Sequence, residues 1–357
     1  MTLIEKLEND ERLSFEDGIA LYDLDLFTLG KYANRKRRAL HGDKVFFNVN
    51  RHINPTNICK DVCKFCAFSA HRKNPNPYTM SHDEILQAVE HSLNEKHITE
   101  VHIVSAHNPH TGLEWYLEVF SKIKAKFPSL HVKALTAAEI NFLANEYGLS
   151  YEQIIDKMIE HGVDSMPGGG AEIFDEQVRE YICKGKVSSQ QWLEIHELWH
   201  KRGKESNATM LFGHVEKREH RIDHMLRLRD LQDKTHGFNA FIPLVYQRDN
   251  NYLHVDDFLS STEILKTFAI SRLMLDNIAH VKAYWATSTI NLALVAMEYG
   301  ADDLDGTIEV ESIQSAAGAK SAHGLGLQTI LELIHTSGFQ AIERDSLYHE
   351  LKHHTLS

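Results

Sequence analysis

Along most of the chain, short apolar runs rich in β-branched residues alternate with longer stretches whose apolar positions recur every three or four residues. The short runs are Val45–Val49, Glu100–Val104, His131–Leu135, Val163–Ser165, Asn207–Phe212, Asn239–Val245, His280–Tyr284 and Asp303–Ile308, and each reads as a strand. Between them lie helical stripes: Ile85, Val89 and Leu93; Ile154, Ile155, Met158 and Ile159; Trp192, Ile195, Leu198 and Trp199. Ser81 with Glu84, Ser150 with Gln153, Ser188 with Gln191 and Ser260 with Glu263 have capping-box spacing and predict helix starts. Gly162, Gly203 and Gly300 stand where helices would stop, and Pro128 follows another. Repeated strand–helix units imply a parallel sheet with right-handed crossovers.

Eight such units predict an α/β fold, a TIM-like (β/α)8 barrel, although the loss of one strand would leave it open and partial. Residues 1–40 read as a helical lead-in and 41–320 as the barrel. Residues 321–357, after Ala316-Ala317-Gly318-Ala319, read as a C-terminal helical cap. Chemistry in such barrels gathers at the C-terminal ends of the strands, which ranks every candidate below.

Composition narrows the function. The formal charge of −12 over 357 residues argues against nucleic acid as the main partner, because phosphate binding needs a basic face. No apolar run reaches the ~18 residues that cross a bilayer. The opening Met1-Thr2-Leu3-Ile4-Glu5-Lys6 carries no signal-peptide pattern, so a cytoplasmic protein without membrane insertion is expected. The 24 histidines are scattered, and none is assigned to a metal.

Three of the four cysteines fall within eight residues, Cys59, Cys63 and Cys66, in a C-x3-C-x2-C loop after the first strand. Thiolates are the ligands of iron–sulfur clusters, and three of them leave one iron of a cubane open to a chelating small molecule. The competing reading is a structural zinc on Cys59, Cys63, Cys66 and His71, which would make the barrel a binding or scaffold protein. Cys183 stands alone and reads as an incidental thiol, so a second cluster is not expected.

The segments Asn54–Ser69, Asp164–Phe174, Ser206–His214, Leu275–Trp285 and Ala301–Thr307 together resemble the radical S-adenosylmethionine (SAM) superfamily. Their wider pattern resembles its aminofutalosine synthases, of the futalosine pathway to menaquinone. The Cys loop specifies only the superfamily; Pro167-Gly168-Gly169-Gly170-Ala171-Glu172 and Ser206-Asn207-Ala208-Thr209-Met210 narrow it to the branch. Two places bear on the match. Where many members have a Gly-Gly pair after the second strand, this chain has Val104-Ser105-Ala106-His107. The related dehypoxanthine futalosine cyclases more often carry Tyr-Arg after Cys-Ala-Phe, where Ser69-Ala70 stands here.

The resemblance implies a 4Fe–4S cluster on Cys59, Cys63 and Cys66, with SAM as consumed co-substrate. It implies a transferase that adds the 5′-deoxyadenosyl radical to 3-[(1-carboxyvinyl)oxy]benzoate, giving 6-amino-6-deoxyfutalosine, methionine and bicarbonate. The alternative is a cyclase that abstracts hydrogen. An electron donor such as flavodoxin or ferredoxin is implied as partner. Within that reading, Phe65, Ser105, Thr136, Glu139, Gly169, Gly170, Asn207 and Thr209 are the candidate cofactor-binding residues. Asn207 and Thr209 alternate on one strand and so share a face. His107, Glu172 and His214 are the catalytic candidates, and Arg248, Lys282 and Tyr284 those for a substrate with two carboxylates. The acidic run Asp302, Asp303 and Asp305 reads as loop capping.

Overall fold

A computed structural model describes residues 1–71, 74–310, 312–319 and 324–355. Among the described residues there are ten strands: β1 Lys44–Asn48, β2 Asn50–Ile53, β3 Glu100–Ile103, β4 His131–Ala134, β5 Ser206–Phe212, β6 Phe238–Val245, β7 His280–Val281, β8 Asp303–Gly306, β9 Gln340–Arg344 and β10 Glu350–His354. They form three sheets, ordered β10-β9-β1-β8, β2-β3-β4 and β5-β6-β7. All pairings are parallel except that of β10 with β9. Isolated parallel bridges join the sheets: Lys133 to Ser165, Met166 to Ser206, Lys282 to Asp303, and Arg51 to Glu309. β1 and β2 are separated only by buried Val49, so one bent stretch of chain serves two sheets.

The helices follow their signals. Capping boxes at Ser81, Ser150 and Ser188 are all formed, and the helix Ser189–His200 buries Trp192, Ile195 and Trp199 completely. Ser260 accepts from the Glu263 backbone N–H, whereas the Glu263 carboxylate turns to Arg218 and Arg221. The lead-in contains the helices Leu3–Glu8, Phe15–Leu21 and Leu26–His41.

Three expectations need correction. Val163–Ser165 supplies only single bridges at Ser165 and Met166, because Pro167 has no N–H with which to continue a ladder. The strand expected over His280–Tyr284 is two residues long. The C-terminal stretch is not purely helical: after the helix Leu327–Thr336, β9 pairs in parallel with β1, and β10 lies along it. The expected boundary at 320/321 lies outside the described residues.

Candidate active site

The loops after β2, β3 and β4 and the loop through Gly168–Gly170 enclose one cavity of ≈ 310 Å³. Cys59, Cys63 and Cys66 line it, as do Phe65, Ser105, His107 and Thr136. So do Gly169, Gly170, Glu172, Asn207, Thr209, Lys282 and Tyr284. Residues distant in sequence thus meet at the strand ends, as a TIM-like fold requires.

The Cys loop is tied down by its neighbours. Lys60 N–H donates to the His107 carbonyl at 2.9 Å, and Lys64 N–H to the Ile182 carbonyl at 2.8 Å. Asp61, between the first two cysteines, lies 2.8 Å from His107 Nδ1, and the His107 ring stacks on Phe142. Burial works to raise the Asp61 pKa, yet His107 and the nearby lysines hold it below the usual carboxylate range. Burial pushes the Cys59 thiol up and the Cys63 thiol well up, so thiolates here call for a cationic partner, which a metal centre supplies.

Three thiols on one loop are the donor set of an iron–sulfur cluster and would leave one iron open. The His41, His280 and Asp302 side chains converge within 4.8 Å, but Asp302 is already taken by Arg272, by His280 at 2.6 Å and by the Val281 N–H at 2.8 Å. Asp303 pairs with Arg344 and Asp305 with Lys282, so the acidic run is spent on ion pairs.

The glycine loop is rigid as well as bare. Gly168 O accepts from Thr209 Oγ1 at 2.6 Å, Gly169 O from the Trp192 indole at 3.2 Å, and Gly170 O from Arg179 at 3.1 Å. A Cβ on Gly168 would stand 2.7 Å from the Asn207 carbonyl oxygen, and Gly170 has φ +89°. Glu172, at φ +47°, makes a buried ion pair with Lys186 at 2.7 Å. Burial opposes charge on Lys186, but Glu172 wins and raises its pKa well above the ordinary range. Lys186 also lies over the Phe65 ring at 5.7 Å.

Three sequence candidates fall outside the cavity lining. Glu139 Oε2 accepts from Thr136 N–H and Oγ1, each at 2.8 Å, and Oε1 from Ser105 N–H at 2.8 Å. It caps the helix Ala137–Tyr147 and fastens the β3 loop to it. His214 is enclosed near Glu216, with Nε2 3.1 Å from the Leu211 carbonyl, and burial lowers its pKa. Arg248 donates to the Val255 and Asp256 carbonyls and stacks on Phe258 at 3.4 Å.

Sequence reasoning missed Asp61, Lys186 and a titratable group below the mouth, Glu100, His52, His102 and Lys133, all of which line the cavity. The signal for the group was available: Glu100 and His102 share a strand face in a run whose other residues, Val101 and Ile103, face the helices.

Fold and site together describe a TIM-like α/β enzyme whose cavity presents three thiols. Residues 53–228 match the family model of the radical SAM superfamily, and 235–355 that of the CofH/MqnC C-terminal region. The aminodeoxyfutalosine synthase of Thermus thermophilus is 41% identical over 98% of this chain and 95% of its own. The cyclic dehypoxanthine futalosine synthase of Streptomyces coelicolor is 36% identical over 96% of this chain and 86% of its own. Among solved structures, methylornithine synthase (PylB) superposes with TM-score 0.76 at 16% identity, covering 95% of this chain and 96% of that one, a likeness of fold alone. The chain belongs to the radical SAM superfamily, in the branch that holds these two synthases. Members use a 4Fe–4S cluster and SAM, and Cys59, Cys63 and Cys66 are consistent with the cluster motif. Among the described residues no helix is long and apolar enough to cross a membrane.

Proposed function

We propose that this protein is a radical SAM aminofutalosine synthase, joining the 5′-deoxyadenosyl group of SAM to 3-[(1-carboxyvinyl)oxy]benzoate. The products are 6-amino-6-deoxyfutalosine, methionine and bicarbonate. The observation that carries this reading is the three-thiol loop facing the bare Gly168–Gly170 loop across one cavity, in a chain 41% identical to a synthase of that name over nearly its full length. When bound on Cys59, Cys63 and Cys66, the cluster supplies the electron that cleaves SAM.

The chain's own residues then have distinct tasks. His107 holds the Cys loop through Asp61 and through its carbonyl to Lys60. The Gly168–Gly170 backbone and the hydroxyl and amide of Thr209 and Asn207 form a wall against which a flat ligand can lie. Glu172 and its partner Lys186 meet the polar part of SAM beside Phe65. Lys282 and Tyr284 take the substrate side, where donors can meet a carboxylate. Glu139, His214 and Arg248 act at one remove, by fixing the loops around the cavity. The bridges of Lys133 to Ser165, Met166 to Ser206, Lys282 to Asp303 and Arg51 to Glu309 support a closed barrel, and an electron donor such as flavodoxin or ferredoxin would complete a cytoplasmic system.

The test is anaerobic incubation of cluster-reconstituted protein with reductant, SAM and 3-[(1-carboxyvinyl)oxy]benzoate, followed by mass spectrometry. Adenosyl carbon found covalently in 6-amino-6-deoxyfutalosine supports the reading. Free 5′-deoxyadenosine alone would overturn the substrate and leave the cyclase reaction, named for a 36% identical relative, as the next assignment.

A further inference from the structure

Just below the cavity mouth the barrel interior is charged where such barrels are usually aliphatic. His52, His102 and Lys133 are the penultimate residues of β2, β3 and β4, and the register places them side by side: His52 opposite His102, His102 opposite Lys133. Their chain neighbours Ile53, Ile103 and Ala134 are buried on the opposite, helix-facing side. Lys282 of β7's end and Asp305 of β8 face the same space.

The fixed charges there cancel. Lys133 donates to Glu100 at 2.7 Å, Lys282 to Asp305 at 2.7 Å, and Arg344 to Asp303 at 2.5 Å. Glu100 also accepts from the Ser346 hydroxyl. A substrate carboxylate entering this floor would therefore be an extra negative charge in a dry site, costing several kcal/mol unless matched. His102 is the group placed to match it. Its ring meets His52 edge-on at 4.6 Å, and among the described residues its buried Nε2 has no hydrogen-bond partner.

We propose that His102 takes one proton from solvent as the substrate binds, and that the resulting imidazolium anchors a substrate carboxylate on the cavity floor. The inference rests on the dicarboxylate substrate proposed above and deepens it by naming a positioning residue. No carbon bond changes: the Nε2 lone pair takes a proton from the buffer's acid form, whose conjugate base stays in solution, and the imidazolium balances the one carboxylate that reaches the floor. Burial, with His52 and Lys133 alongside, holds free His102 neutral, its pKa well below the usual imidazole range, against the opposing pull of Glu100 and Asp305. His131 and Lys282 complete the titratable surroundings through Glu100. The carboxylate that reaches the floor reverses that balance, because the cations there already have carboxylate partners.

The experiment is calorimetric titration of cluster-reconstituted protein, with SAM but no reductant, by 3-[(1-carboxyvinyl)oxy]benzoate at pH 7.5. Running it in two buffers of different protonation enthalpy counts the protons taken up. About one proton per site is expected for the unsubstituted protein. His102→Gln should bring the count near zero and weaken binding at least about tenfold, the scale of one buried charge-assisted contact, while His52→Gln keeps the uptake. Binding without proton uptake in the unsubstituted protein overturns the proposal and leaves the synthase reading intact, a result that needs no variant to fold. Uptake that survives His102→Gln but vanishes in His52→Gln overturns it as well. Failure of this benzoate to bind at all overturns the substrate reading, and with it this inference.

Discussion

Cys59, Cys63 and Cys66 could be named from spacing because metal chemistry limits both the ligand type and the loop that presents it. Replacing any one with Ala should remove both the brown absorbance near 400 nm after anaerobic reconstitution and SAM cleavage; retention of either in one variant would clear that cysteine of the role. Lys186 carried no such signal, since it follows Gly185 in an ordinary loop and acquires meaning only by folding onto Glu172. Both side chains are nearly enclosed, so removing one strands the other. Lys186→Met should lower unfolding free energy by about 3 kcal/mol or more, and Glu172→Gln in the same chain should restore most of it. Urea denaturation of the two variants decides the matter: an unchanged single variant would mean the pair is wetter than its geometry. Glu139 shows the opposite limit. Its position after a strand suggested a ligand contact, yet Thr136-x-x-Glu139 is also a capping box, and the structure spends both carboxylate oxygens on backbone and hydroxyl donors.

Elements were legible where local chemistry decides them. Ser81, Ser150 and Ser188 start helices because a side-chain oxygen and a Glu or Gln three residues on satisfy orphan N–H groups without help from elsewhere. β9 was not legible, because its Gln340-Ala341-Ile342-Glu343-Arg344 lacks clean alternation and becomes a strand through pairing with β1, some three hundred residues away. The glycine loop lies between these cases. Three consecutive glycines suggested either a ligand approach or a turn, and the structure gives each residue its own reason. Gly168→Ala would drive a methyl group into the backbone of β5, at Asn207 O and Ala208 C, neither of which can rotate away. Gly169→Ala would meet only the Thr136 methyl at 2.8 Å. Gly168→Ala should therefore cost about 1–3 kcal/mol of stability, as overpacking does, and more than Gly169→Ala. Thermal unfolding of both variants, compared with SAM affinity measured by equilibrium dialysis, separates packing from binding; equal melting points would contradict the ranking.

At the scale of the whole molecule, the many histidines that sequence left unassigned set how the fold responds to acid. Burial lowers the pKa of His41, His102, His131, His196, His214, His200 and His224, the last two to about 3. His224 sits wholly enclosed with Nε2 2.9 Å from the Thr209 carbonyl, and stacks on Phe174. Below about pH 6.5 the unfolded chain binds protons at these rings and the folded chain does not. Stability is therefore complete above that pH and falls as pH drops toward the folded values, by about 1.4 kcal/mol per unit for each ring. At pH 5 His200 and His224 would each cost about 2 kcal/mol, a sizeable share of the 5–15 kcal/mol typical of a folded domain. The depressed carboxylates, such as Asp305 at about 2, add their loss only below about pH 4, so histidine sets the onset. Urea unfolding of the full chain at pH 7.5, 6.5 and 5.5 should show little change over the first step and a clear loss of stability over the second. Below pH 6.5 His224→Gln should flatten that slope by about 1.4 kcal/mol per pH unit, whereas His349→Gln, whose exposed ring Asp345 favours in its charged form, should not flatten it. A stability that stays level from pH 7.5 to 5.5 would mean that these rings accept protons within the fold, through water or movement that their tight packing against Phe174, Trp192 and Phe238 argues against.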